Sequence, residues 1–213
     1  MRILITGANG QLGCEIRDLI CLYSSVDFIF TDLDNLDICD FNALNNFITE
    51  QKITGVINCA AYTNVDKAED DAELANEINH LAVKNIAEIV HKHQLKFIHI
   101  STDYVFEGSS EVPYLESDIT NPKNRYGNTK LLGEKALLEI NPCNSIIIRT
   151  SWLYSTFGKN FVKTILNLSK TRDELKVVND QIGTPTNAQD LAKSILDICL
   201  FEGKPTANKI YHF

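Results

Sequence analysis

Arg2-Ile3-Leu4-Ile5-Thr6-Gly7-Ala8-Asn9-Gly10-Gln11-Leu12-Gly13 combines three signals in one short segment. Residues 2–6 are a short apolar, β-branched run of the kind that forms a buried strand. Glycines follow at 7, 10 and 13. A helical pattern then continues to about Tyr23, with Leu12, Ile16, Leu19, Ile20 and Tyr23 on one face. Strand, glycine turn and helix in that order are the setting in which spaced glycines signal dinucleotide binding. Gly7, Gly10 and Gly13 let the backbone turn sharply and approach a pyrophosphate, which rests on the N-terminal amides of the helix.

Downstream the pattern alternates. Val26–Thr31 reads as a second strand ending in Asp32, about twenty residues after the glycines. An acidic group there suits a ribose hydroxyl and repels a 2′-phosphate, which modestly favours NAD over NADP. Asp40 reads as the N-cap of a helix to about Lys52. Gly55–Asn58 is the third strand, leading into Cys59-Ala60-Ala61-Tyr62-Thr63, small residues that let a ligand lie against the sheet edge. A long helix over 72–93 should bury Leu74, Ile78, Leu81, Ala82, Ile86 and Ile89. Asn79, polar among them, is either a capped surface group or part of the site. Lys96–Ile100 is the fourth strand, with Ser101-Thr102-Asp103-Tyr104 at its end. A long polar loop over 104–124 precedes a helix opening at Asn124 or Arg125. Ser145–Thr150 is strand five. A helix over about 159–171, a short strand near 175–178, a loop over 179–186, a helix over about 188–201 and a final strand from Ile210 follow. This succession predicts an α/β fold with a doubly wound parallel sheet.

Composition narrows the function. The 213 residues carry a formal net charge of −8 and no basic run, which disfavours nucleic acid and anionic membranes as partners. No apolar stretch reaches transmembrane length, and the first residues lack a signal-peptide layout. Cysteines 14, 21, 39, 59, 143 and 199 show no C-x-x-C spacing and read as reduced thiols of a cytoplasmic protein. The five histidines form no ligand cluster, so no metal is expected.

Tyr126 and Lys130 lie four apart at the start of a helix and share a face. An ammonium beside a phenol stabilises the phenolate, which predicts a lowered tyrosine pKa and a general acid or base at Tyr126. Thr102 and Asp103, at a strand end where open α/β sheets bind ligands, are placed to meet a substrate.

Gly7-x-x-Gly10-x-x-Gly13, Thr102 and Tyr126-x-x-x-Lys130 together resemble the extended short-chain dehydrogenase/reductase superfamily, whose cofactor domain is the Rossmann-type fold. Four longer segments narrow the resemblance to the dTDP-4-dehydrorhamnose reductase family: Ala60–Glu69, Ser101–Phe106, Arg149–Tyr154 and Asn179–Thr186. The resemblance implies reduction, by NADPH or NADH, of the C4 keto group of a dTDP-linked 6-deoxyhexose. It makes Tyr126 the proton donor, Lys130 the ligand of the nicotinamide ribose and Thr102 a partner of the carbonyl oxygen. It assigns Gly10, Gln11 and Leu12 to the pyrophosphate, and Asp32, Asp37 and Ile38 to the adenosine half. Ala61, Tyr62 and Thr63 would line the cofactor cleft, and Asp103 and Trp152 would face the sugar nucleotide. Residues 1–150 are then the cofactor domain. Residues 151–213 mix further sheet elements with a small substrate lobe that the family's longer chains complete. Some relatives hold magnesium between subunits. Glu15 would suit such a site, but Gln189 stands where a second acidic ligand is expected, so no metal is assigned. A homodimer is compatible with the resemblance. The competing readings are a non-catalytic nucleotide-binding subunit and a nucleotide-sugar epimerase or dehydratase.

Overall fold

The computed structural model describes residues 1–201 and 209–213. In chain order the elements are β1 (Arg2–Thr6), α1 (Gln11–Leu19), β2 (Asp27–Phe30), α2 (Phe41–Glu50), β3 (Gly55–Asn58), α3 (Ala72–Asn76), α4 (Ala82–His93), β4 (Lys96–Thr102), α5 (Arg125–Ile140), β5 (Asn144–Thr150), β6 (Leu153–Tyr154), α6 (Phe161–Leu168), β7 (Thr186–Asn187), α7 (Ala188–Leu200) and β8 (Lys209–His212). Six strands form one sheet in the order β2-β1-β3-β4-β5-β8, with every neighbouring pair parallel.

A parallel sheet covered on both faces needs strands that are apolar at every position. Ile3, Leu4 and Ile5 of β1 are all fully buried, and the alternation of side chains sends them to opposite faces. Leu4, Val56, Phe97 and Ile147 pack with Leu44 and Ile48 of α2, Ile86 and Val90 of α4, and Leu137 of α5. Ile3, Ile5, Ile57, Ile98 and Ile148 face Leu12 and Ile16 of α1 and Leu191, Ile195 and Leu196 of α7. The sheet is therefore doubly wound, as expected. It begins to reverse between β1 and β3, and this is where such sheets open a ligand crevice at their carboxyl edge.

Several expected boundaries move. α1 stops at Leu19 and a 3₁₀ turn covers Ile20–Leu22. β2 is the shorter Asp27–Phe30, and α6 spans only Phe161–Leu168. The helix expected over 72–93 is interrupted by a π turn at Glu77–Leu81. That wider turn shifts the inward face, so Ala75, Asn79, Ala82 and Val83 are buried while Leu74 and Leu81 stand 46% and 44% exposed. The strand expected near 175–178 does not form. Val177 and Val178 find no neighbouring strand among the described residues and are exposed.

Residues 151–213 divide in two. α7 and β8 complete the main sheet, β8 pairing with β5 from Ile146↔Lys209 to Arg149↔His212. Before them in the chain, β6 and β7 form a separate two-stranded parallel sheet with α6 in the connection.

Candidate active site

The loops leaving β1, β2, β3, β4 and β5 all emerge at one edge of the sheet, and α5 brings Tyr126 and Lys130 to it. Gly7 has φ +64°, and a Cβ there would lie 2.5 Å from the backbone nitrogen of Ala60, so only glycine fits. At Gly13 a Cβ would sit 2.6 Å from Cα of Ala8, which lets α1 start directly against the turn. α1 has no side-chain cap at Gly10, whereas α2, α5, α6 and α7 are capped by Asp40, Asn124, Asn160 and Asn187. The first amides of α1, at Gln11, Leu12 and Gly13, are thus left for an anion in a glycine cradle, which is what a dinucleotide pyrophosphate requires.

Asp32 lies beside this turn. Its carboxylate accepts the amides of Asn9 (2.8 Å) and Leu33 (2.9 Å), so it shapes the turn. Asp37 is exposed and holds the Cys39 amide at 2.9 Å, while Ile38 is buried. Ala61 and Tyr62 are half-buried and Thr63 is exposed in the loop after β3. Tyr62 is fixed through both backbone and ring. Asn79 Oδ1 accepts its amide at 2.9 Å, Asn79 Nδ2 donates to its carbonyl at 3.1 Å, and its hydroxyl donates to Asp71 at 2.8 Å. Asn79 also donates to Thr129 of α5 at 3.2 Å. Complete burial rules out a surface group at Asn79, which staples the loop after β3 to the helix that carries Tyr126 and Lys130.

α5 packs unusually close to its neighbours. A Cβ on Gly127 would lie 2.1 Å from the carbonyl oxygen of Tyr104, and one on Gly133 would lie 2.2 Å from that of Asn79. Asn124 caps the helix by accepting the Gly127 amide at 2.7 Å, and Glu69 accepts the Arg125 amide at 2.8 Å. This approach seats the Tyr126 ring edge-on to Tyr104, with centroids 5.6 Å apart, and beside the Thr102 hydroxyl.

The expected lowering of the Tyr126 pKa is reversed. Burial pushes the phenol up to about 12, Asp103 and Tyr104 add to the rise, and the hydrogen bond with Thr102 opposes it. Lys130 does not offset these effects because its ammonium points elsewhere, donating to the Ile100 carbonyl at 2.7 Å. Lys130 is 1% exposed, and burial brings it down to about 8 against the partly opposing pull of Glu134. A lysine whose folded pKa lies below its unfolded value makes the protein more stable as pH rises from about 8 towards 10, because the buried charge is then removed. Lys130→Met should abolish this dependence. The stability gap between variant and parent is expected to shift by roughly 2–3 kcal/mol in the parent's favour between about pH 7 and pH 10. Urea unfolding at a series of pH values measures it, and parallel curves would show that Lys130 does not bury its charge.

Asp103 accepts from the Thr102 hydroxyl at 3.1 Å, and burial raises its carboxyl above the usual carboxylate range. Trp152 has φ +46°, and a Cβ on Gly183 would fall 2.9 Å from its indole. Ser151 donates to the Thr184 carbonyl at 2.6 Å and the Thr186 amide to the Trp152 carbonyl at 3.3 Å, joining the 151–154 and 179–186 segments at the site. Gln11 accepts from Asn160 at 2.8 Å, and Glu15 accepts from the Ser155 hydroxyl at 2.6 Å. Among the described residues no group of acidic, histidine or cysteine side chains is arranged to hold a metal ion.

Sequence reasoning missed a buried network under the site. Glu134 accepts from Ser101 (2.5 Å) and from Arg149 Nε and Nη2 (2.9 and 2.7 Å), with the guanidinium over the Phe106 ring. The available signal was Arg149 at the end of the apolar run Ile146-Ile147-Ile148.

The chain is similar to known proteins along its whole length. The model of the RmlD substrate binding domain family matches residues 1–213. A dTDP-4-dehydrorhamnose reductase of Aggregatibacter actinomycetemcomitans is 42% identical over 100% of this chain and 72% of its own. The crystal structure of a dTDP-4-dehydrorhamnose reductase from Clostridium acetobutylicum superposes with a TM-score of 0.93 at 47% identity, covering 100% of this chain and 74% of that one. That of a dTDP-4-dehydrorhamnose reductase from Bacillus anthracis, solved in complex with NADP, gives a TM-score of 0.93 at 38% identity over the same shares.

Proposed function

We propose a function on the premise that this chain belongs to the RmlD substrate binding domain family, together with the dTDP-4-dehydrorhamnose reductases it matches. It is an NAD(P)H-dependent reductase that converts the C4 keto group of dTDP-4-dehydro-L-rhamnose to the alcohol of dTDP-L-rhamnose. One observation carries the assignment. A buried tyrosine sits beside a threonine hydroxyl at the carboxyl edge of the same sheet whose first strand leads into a glycine cradle and a helix N-terminus without a side-chain cap.

When bound, the reduced nicotinamide supplies the hydride. The amides of Gln11, Leu12 and Gly13 would hold the pyrophosphate, with Gly7 and Gly10 permitting its approach. Asp32, Asp37 and Ile38 would border the adenosine, and Ala61, Tyr62 and Thr63 the cleft wall. Lys130, buried and one helical turn from Tyr126, would donate to the nicotinamide ribose. Thr102 orients the carbonyl oxygen. Tyr126 delivers a proton to that oxygen as negative charge builds there, and its raised pKa keeps the proton in place until then. Asp103 and Trp152 would contact the sugar nucleotide. A relative binds NADP, and Asp32 is already engaged by two amides, so the modest preference for NAD read from Asp32 gives way to use of either cofactor.

Among the described residues no helix is long and apolar enough to cross a membrane. The free cysteines and the nucleotide-linked substrate support a cytoplasmic location. The test is direct: purified protein with dTDP-4-dehydrorhamnose and each reduced cofactor should oxidise at least one of them in step with dTDP-rhamnose formation. Cofactor binding without oxidation would replace this reading with a non-catalytic nucleotide-binding role.

A further inference from the structure

Three polar side chains cross the sheet beneath the glycine turn, on neighbouring strands. Thr6 of β1, Asn58 of β3 and His99 of β4 are 1%, 0% and 0% exposed. Their order is fixed by register, Thr6 pairing with Asn58 and Asn58 with His99. Thr6 donates its hydroxyl to Asn58 Oδ1 at 2.6 Å, and the backbone amide of Ala60 donates to the same oxygen at 3.1 Å.

The Ala60 amide can only donate, so the atom of Asn58 that faces it must be the oxygen. Nδ2 of Asn58 therefore faces His99, where it lies 3.2 Å from Nδ1. Two donors cannot share that contact, so Nδ1 of His99 is an acceptor and the ring proton resides on Nε2. Burial and the nearby Lys130 hold His99 well below the ordinary histidine range, in accord with a neutral ring. Nε2 is itself buried and has no hydrogen-bond partner among the described residues.

The chain ends at a critical backbone contact. Ala60 is the residue whose nitrogen and Cα lie so close to Gly7 that no Cβ fits between them. A small shift of Ala60 would disturb the turn that cradles the pyrophosphate.

We infer that His99 is a positioning residue for the cofactor: its Nδ1 fixes the orientation of the Asn58 amide, which holds Ala60 against the Gly7 turn. This rests on the dinucleotide-binding part of the function proposed above, and it assigns to the interior of β4 a role that extends to the crevice through two residues.

Two substitutions separate it from simple packing. In His99→Asn the side-chain oxygen can take the place of Nδ1 as acceptor, whereas His99→Leu fills similar space with no acceptor. His99→Leu should weaken NADPH binding roughly tenfold and His99→Asn by less than about threefold, with kcat little changed in either because Tyr126 is untouched. In the ligand-free protein the Ala60 amide should exchange faster in His99→Leu only, and the ¹⁵N resonances of the wild-type His99 ring should show the proton on Nε2. Equal weakening of binding by both variants, or a wild-type ring protonated on Nδ1, would overturn the inference. Failure of the reductase reading is separable: the wild type would bind NADPH without turning over the keto-sugar, and the ring tautomer and binding ratio would still decide the role of His99.

Discussion

Tyr126→Phe is expected to lower kcat by roughly 10²- to 10⁴-fold, the usual contribution of a positioned proton donor. The dissociation constant for NADPH should hardly move. The substitution removes one hydroxyl and keeps the ring that packs edge-on to Tyr104 at 5.6 Å, so the first turn of α5 has no reason to shift. Its backbone anchors are also untouched, with Asn124 on the Gly127 amide and Glu69 on the Arg125 amide. The phenol is held protonated by burial and by the neighbouring Asp103, so the loss is that of an acid whose proton is in place before reduction begins. Steady-state kinetics with the dTDP-keto-sugar, alongside cofactor titration, give both quantities. Unchanged turnover would remove Tyr126 from the chemistry.

The second large effect concerns stability. Glu134 and Arg149 have side chains 1% and 4% exposed and share two hydrogen bonds, and Ser101 supplies a third to the same carboxylate. Removing one member of a buried ion pair leaves the other charge without compensation in a low-dielectric interior. Glu134→Ala should therefore lower the unfolding free energy by about 3–5 kcal/mol. Replacing both residues with methionine should lower it far less, since neither charge is then stranded. Urea unfolding of the two variants checks the contrast. If the double variant is as unstable as the single one, packing dominates at this position and the pair contributes little through its charges. The network joins β4, α5 and β5 through Ser101, which adjoins Thr102, and Glu134, which lies on the helix that carries Tyr126. A partial loss of activity in Glu134→Ala would then report displacement of those groups.

Much of this architecture was legible along the chain because it depends on local rules. The β-branched run at 2–6, the glycines after it and the apolar face of α1 are decided by neighbours within one turn or one strand. Tyr126 and Lys130 were found for the same reason, as four-residue spacing on a helix places them on one face. The errors occur where distant contacts overrule the local pattern. Leu74 and Leu81 fit a regular helix, but the π turn that lets Asn79 reach Tyr62 and Thr129 rotates them outward. Val177 and Val178 have strand-forming side chains and no strand to pair with among the described residues.

Periodicity and glycine spacing act over short distances, so the doubly wound parallel sheet, the glycine turn at residues 7–13 and the strand ends that carry Thr102 and Asp103 could be read along the chain. Tertiary structure alone decided the electrostatics of the site. Lys130 is a neighbour of Tyr126 on the helix, yet it spends its hydrogen bond on Ile100 of β4, and the phenol rises towards 12 under the influence of burial. The pairing of Glu134 with Arg149 and of Asn58 with His99 was equally hidden. A pKa or a buried hydrogen bond depends on which groups the folded chain brings within a few ångströms and on how much water it removes, and neither is fixed by residue spacing.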